Sequence, residues 1–253
     1  MKKKILITLL VVMAFLVSLV VHIPAQFVLS QFPLPPQLSL NGATGTIWKG
    51  RLVSAQWAQY QLGEVSWSIQ PSKLLTGNLQ AQVRFGRGSD LNVKGRGIVG
   101  YGVSGAYAEN FVASMPVDTA LEFAPNLPVP LDLTGQIELS IKHFDYAEPY
   151  CQSGEGALVW NTDTIGTPLA ELNVGPVVAD ISCQDSTLTL KGNQQSEQVE
   201  SEFSLVLKAD SSYDTQAWFK PQQAFPSALQ QQLKWLPAPE DNGRYPLSYQ
   251  GRL

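Results

Sequence analysis

Hydrophobic and polar positions divide the chain into two regimes. From Ile5 to Ile23 nearly every residue is Leu, Val, Ile, Ala or Phe, with Thr8, Ser18 and His22 as the polar interruptions. At about 1.5 Å per residue, a helix of that length nearly crosses a hydrocarbon core about 30 Å thick. Lys2, Lys3 and Lys4 precede the run and would keep the N-terminus cytoplasmic. Pro24, Pro33, Pro35 and Pro36 then stop the helix and predict a stiff linker over 24–39. From about residue 40 the period changes to two. Val65, Trp67 and Ile69 alternate with polar or small residues, as do Leu79, Ala81, Val83 and Phe85. The same holds for Val99, Tyr101 and Val103; for Ile137, Leu139 and Ile141; and for Leu188 and Leu190. Phe203, Leu205, Leu207 and Ala209, then Leu247, Tyr249 and Gly251, complete the set. Short alternating runs separated by glycine predict half-buried antiparallel strands with one apolar and one polar face.

The expected organisation is a tail over 1–4, a membrane anchor over 5–23, the Pro-rich linker over 24–39 and a β domain over 40–253. Pro125-Asn-Leu-Pro-Val-Pro130 is the best internal boundary. A cleaved signal peptide is the competing reading of the first segment. The nearest cleavage-like string is Ile23-Pro24-Ala25, where Ile23 is not small and Pro24 disfavours cleavage. Either reading exports the remainder, which in a bacterium means the periplasm.

Leu75-Thr-Gly-Asn-Leu79 resembles Leu133-Thr-Gly-Gln-Ile137, 58 residues later. Each predicts a turn at Gly77 or Gly135 that feeds an alternating strand. Two such copies suggest either two similar β layers or one long sheet with repeated hairpins. Helical signal beyond the anchor is confined to Ser227–Leu236, with Ser227 as N-cap after Pro226 and Pro237 as the stop. Leu229, Leu233 and Leu236 share one face and predict packing on the sheet.

Composition narrows the function classes. The 253 residues are 44% hydrophobic and only 15% charged, with 20 Gly and 17 Pro, which suits a turn-rich β protein. Net charge is −4; setting aside Lys2, Lys3 and Lys4 leaves 14 basic against 21 acidic residues, a net −7. An acidic remainder excludes nucleic acid as a partner. Two His, one of them in the anchor, exclude a His-rich metal site.

Candidate chemistry is thin. Gly95-Arg-Gly-Ile-Val-Gly100 has dinucleotide-type spacing, but the residues after it alternate like a strand, so a glycine-rich hairpin is expected. Nucleophile-elbow, zincin and phosphate-loop motifs are missing. His143, beside Phe144, is the one exported histidine and the sole candidate base for a Ser-His-Asp arrangement. Glu148, Glu155, Asp163 and Asp180 are scattered carboxylates. Trp48, Trp57, Trp67 and Trp160 suit core packing better than a ligand platform. No catalytic, cofactor-binding or metal-ligating residue is assigned, and no cofactor is expected.

Cys151 and Cys183 are the two cysteines. In an exported domain a pair is most simply a disulfide, whose loop of about 33 residues stabilises by roughly 3–4 kcal/mol in the chain-entropy model. Two buried free thiols and a redox pair are the alternatives, the latter without a Cys-x-x-Cys.

Several strings in order carry a family resemblance. Gly45-Thr-Ile-Trp-Lys-Gly50 follows the anchor, and Leu62-Gly-Glu-Val-Ser-Trp67 runs on through Pro71 to Leu74-Leu-Thr-Gly-Asn-Leu79. Cys151, Gly156, Trp160 and Cys183 come next, and the chain ends Tyr249-Gln-Gly-Arg-Leu253. Together these resemble the general secretion pathway protein N family, a component of the bacterial type II secretion system. The resemblance implies a bitopic inner-membrane protein without catalysis, its N-terminus cytoplasmic and its β domain periplasmic. Its partners would be other secretion subunits. It implies turns at Gly45, Gly50, Gly63 and Gly77, packing of Trp48 and Trp67 in the first sheet, and a Cys151–Cys183 disulfide. Trp67-Ser-Ile-Gln-Pro71 with Leu74–Leu79 also resembles the large AsmA-like periplasmic proteins, whose long curved sheets are associated with lipid movement. The expected fold is therefore mainly β: one transmembrane helix, a curved, mostly antiparallel AsmA-like sheet and a short C-terminal helix. Its expected function is non-enzymatic support of the export of folded proteins, with a phospholipid-binding or lipid-transfer module as the alternative.

Overall fold

The computed structural model describes residues 2–31, 35–122, 132–162 and 164–252. The apolar N-terminal run forms α1 (Lys2–Val21), and Lys4–Val21 is long and apolar enough to cross a membrane. None of that window is buried against the rest of the chain. Within the Pro-rich stretch, Ala25–Leu29 forms a short helix, α2, after Pro24. The strands begin at Leu38, within the segment expected as linker. The expected boundary near 125–130 lies outside the described residues.

In the first half, β1 (Leu38–Asn41), β2 (Thr44–Gly45), β3 (Lys49–Trp57) and β4 (Tyr60–Ile69) precede α3 (Pro71–Leu74). Then come β5 (Leu79–Arg87), β6 (Lys94–Gly102), β7 (Gly105–Pro116) and α4 (Val117–Leu121). The second half holds β8 (Asp132–Leu133), β9 (Gln136–Asp145), β10 (Ser153–Asn161), β11 (Thr164–Gly166) and β12 (Glu171–Asn173). It continues with β13 (Val177–Gln184), β14 (Thr187–Gln195), β15 (Val199–Leu207) and β16 (Ser212–Pro221). The chain closes with α5 (Ser227–Gln230), a 3₁₀ turn (Gln232–Trp235) and β17 (Tyr245–Arg252).

Fourteen strands make one sheet in the order β1-β3-β4-β5-β6-β7-β9-β10-β13-β14-β15-β16-β17, with β2 also on β3. Each of its neighbouring pairs is antiparallel. The order follows the sequence, so nearly every connection is a hairpin or a short excursion. β8, β11 and β12 leave the main path and form a three-stranded sheet of their own. Of the two arrangements open to the repeated Leu-Thr-Gly strings, the single long sheet is the one observed. Gly77 and Gly135 have φ of +77° and +104°; β9 begins at the next residue and β5 one residue later, as a turn at each glycine requires.

Several sequence expectations shift by a residue or two. Val103 stands at the tip of the β6–β7 hairpin and is 97% exposed, so the alternation through it marks the turn rather than more strand. Ala209 lies past the end of β15. At the C-terminal helix, Pro226 is the N-cap and Ser227 the first helical residue, with no side-chain cap. That helix gives way to the 3₁₀ turn, yet Leu229 and Leu233 do pack on the cluster of Val174, Val199 and Phe225. Leu236 stays outside it.

Candidate functional site

The register of the sheet places all the alternating apolar runs on one face, because residues directly opposite in an antiparallel pair share a face. One row crosses twelve strands from β3 to β17. It reads Leu52, Val65, Phe85, Gly95, Ala113, Leu139, Leu158, Ala179, Gly192, Phe203, Ala217 and Leu247. No polar side chain interrupts it. At roughly 4.8 Å per strand, the row is about 50 Å long.

Among the described residues, no second layer covers this face. Of the large side chains in the row only Leu52 is buried, and Leu247 is 49% exposed. The accessible surface is 16838 Å², against about 11,000 Å² for a compact monomer of 27.6 kDa. Helix α1 is too small to supply all of that excess. The small sheet, α5 and Phe225 cover only one corner, where Val199 and Phe219 reach the strand ends.

Aromatic rings lie down over glycines across this surface. Trp67 opposes Gly50, Phe85 opposes Gly95, Phe144 opposes Gly154, Phe203 opposes Gly192 and Tyr213 opposes Gly251, each pair in register. A Cβ on Gly192 would collide with the Phe203 ring. The arrangement gives the rings a packing partner within the sheet itself. It also accounts for Gly95, Gly97 and Gly100, which all lie inside β6, with Phe85, Phe111 and Tyr107 against them. Gly50, expected in a turn, is therefore an interior residue of β3 beneath Trp67. Gly45, Gly63 and Gly77 do take positive φ.

The C-terminal end of α1 is clipped to the sheet. Trp48 Nε1 donates to the carbonyl of Val20 at 2.9 Å, and the Ile47 amide donates to Ile23 at 3.1 Å. Pro24 and Thr46 form an isolated bridge. Trp67 Nε1 donates in turn to the Ile47 carbonyl at 2.9 Å. Trp48 thus serves the end of α1 rather than the sheet core expected of it. Trp160 Nε1 donates to the Thr134 carbonyl at 3.0 Å, and Trp57 is 46% exposed, so the four tryptophans form no common platform.

Cys151 and Cys183 are joined, with their Cα atoms 6.3 Å apart. The bond ties the segment before β10 to the end of β13, and both residues are buried. The candidate base His143 lies in register with Glu155 and Glu109, its Nδ1 at 4.0 Å from Glu155 Oε2. Lys142 Nζ donates to the same carboxylate oxygen at 3.1 Å. That hydrogen bond, with the charges of Lys142 and His143, lowers the Glu155 pKa. Asp180 stands opposite Ala157, and Glu148 lies before β10, so these carboxylates are not brought together. Asp163 is outside the described residues. Among the described residues, no group of three His, Cys, Asp or Glu is placed to hold a metal ion.

The profile of the family described as Type II secretion system (T2SS), protein N matches residues 36–248. The chain belongs to that family. It is similar to the type II secretion system protein N of Vibrio cholerae serotype O1, with 48% identity over 236 residues and 93% of each chain covered. The protein of the same name from Aeromonas hydrophila is 34% identical over 255 residues, the whole of both chains. That of Pectobacterium carotovorum subsp. carotovorum is 24% identical over 242 residues, 96% of this chain and 94% of the relative. No solved structure matches. Family membership gives the chain a role in type II secretion, with other subunits of that system as partners. Helix α1 fits a single-pass membrane protein within it.

Proposed function

We propose that the chain is a non-enzymatic inner-membrane component of the type II secretion system. α1 spans the membrane once, with the N-terminus cytoplasmic and the sheet in the periplasm. There the apolar face docks other subunits of the machine and so supports export of folded proteins across the outer membrane. The observation that carries this reading is the apolar row across twelve strands, without a second layer among the described residues and held to α1 through Trp48 and Ile47. A surface of that kind is unstable in water and calls for a partner. Crosslinking in native membranes, with the chain carrying a photoreactive residue at Leu158 or Leu247, should capture secretion subunits. Deletion should leave the secreted proteins folded but held in the periplasm. Normal secretion together with no crosslinked subunit would sink the proposal.

A second reading, in which the face takes phospholipid acyl chains as in an AsmA-like lipid-binding or lipid-transfer module, draws on the same row. Its aliphatic and aromatic makeup, free of charge, suits hydrocarbon. Photoreactive residues on the row would then crosslink to lipid rather than protein.

A further inference from the structure

The opposite, polar face carries an unusual charge arrangement at the membrane end. Arg51 of β3 stands opposite Ser66 of β4, Ser66 opposite Arg84 of β5, and Arg84 opposite Arg96 of β6. One row therefore holds three guanidinium groups. Like charges directly opposite each other in a sheet are destabilising. Among the described residues nothing relieves them: none of the three has a carboxylate within 4.0 Å or a hydrogen bond from its guanidinium, and the Thr44 hydroxyl reaches only the Arg51 carbonyl. Glu64 and Glu109 flank the row on the same face and form no ion pair with it.

The row opens into a concavity of about 660 Å³, whose lining includes Lys49, Arg51 and Arg84 together with the hydroxyls of Thr44, Ser66 and Ser68. Guanidinium and ammonium groups interleaved with hydroxyl donors suit a phosphate. Its position identifies the source. Lys49 follows Trp48, whose indole is bonded to Val20 in the last turn of α1. Tryptophan at the end of a membrane span marks the headgroup layer. The cations of β3 therefore lie within a few residues of that layer, and no acidic residue occurs in the chain before Glu64.

We infer that Arg51 and Arg84, with Lys49 beside them, form a binding site for the phosphate of an anionic phospholipid in the leaflet facing the sheet. The site rests on α1 lying in the membrane, as proposed above, but not on the secretion role. It uses the polar face and leaves the apolar face free for its own partner. The phosphate also relieves the Arg84–Arg96 opposition, which gives the pair a reason to stand in register.

The test uses the full chain purified in mild detergent and mixed with equal amounts of phosphatidylglycerol and phosphatidylcholine, with bound lipid counted by native mass spectrometry. Wild type should retain phosphatidylglycerol selectively. Arg51→Gln and Arg84→Gln should each lower that preference about fivefold, the effect of one basic residue near an anionic surface. Arg51→Lys and Arg84→Lys should keep most of it. Equal retention of the two lipids, or glutamine variants that retain as wild type does, would overturn the site. Displacement of the lipid by millimolar inorganic phosphate would overturn the lipid assignment in favour of a soluble anion. Alkaline extraction of membranes tests the anchor separately: all four variants should stay in the pellet with wild type, and release of wild type would instead remove the anchor reading.

Discussion

Trp48 donates its indole N–H to the carbonyl of Val20, so a side chain at the start of the sheet satisfies a backbone group in the final turn of the apolar helix α1. The last carbonyls of a helix have no partner within it, and here one is supplied by the domain that follows. With the Ile47–Ile23 bond beside it, the contact makes the junction a fixed joint. Trp48→Phe keeps the ring and removes the donor. The loss should be about 0.5–1.5 kcal/mol, confined to the joint. Hydrogen exchange of the full chain should show a faster Ile47 amide with the central strands unchanged.

The pairing of Phe203 with Gly192 makes a second prediction. Gly192 is buried between Phe203 and Ala179, so Gly192→Val must displace the ring or bend β14. Overpacking of this kind costs about 1–3 kcal/mol. Urea unfolding of the purified full chain should show the lower midpoint, whereas valine at the exposed neighbour Asn193 should leave it within experimental error.

The Cys151–Cys183 bond closes a loop of sequence separation 32 that contains β10 to β13. Replacing both cysteines with serine should cost about 2–4 kcal/mol in the chain-entropy account. Unfolding with and without reductant reads the difference. Intact mass after alkylation without reduction should show no label, and two labelled thiols would refute the bond.

Acid sensitivity should come from carboxylates held in their charged form. The Lys142 hydrogen bond lowers the Glu155 pKa, and the Ser212 hydroxyl and amide lower that of Asp210. A folded-state pKa below the unfolded one gives stability that is present above the unfolded value and lost as pH falls through the folded value. The melting temperature should therefore hold from neutral pH into mild acid and fall below the usual carboxylate range. Because both groups are exposed the slope should be shallow, and Glu155→Gln should reduce it further. A slope unchanged in that variant would show that other groups carry the acid response.

The strands that the sequence made legible are those whose alternation is unbroken. β4, β5, β9 and β17 can be read directly from Val65–Ile69, Leu79–Phe85, Ile137–Ile141 and Leu247–Gly251. β3 and β7 are harder, because register shifts after Leu52 and near Asn110 reverse the parity within each strand. β10, β13 and β14 carry Gly or Ala where the apolar face needs room, as at Gly156, Ala179 and Gly192, which dilutes the alternation. The glycines of β6 carried usable information: a glycine two residues from another inside a strand marks a place where a neighbouring ring lies across the sheet.

The cationic row was not legible at all. Arg51, Arg84 and Arg96 are separated by stretches of ordinary sequence, and only the pairing of β3, β4, β5 and β6 brings them into line. By itself the sequence determined the apolar N-terminal helix, the β class, the two-faced strands and the family, because each rests on local composition, period or motif order. Tertiary structure decided that fourteen of the strands form one sheet rather than two layers, that the described residues leave its apolar face uncovered, and which charges stand opposite one another. Those properties depend on register between segments tens of residues apart, and a period of two says which residues share a face without saying what lies beside or above them.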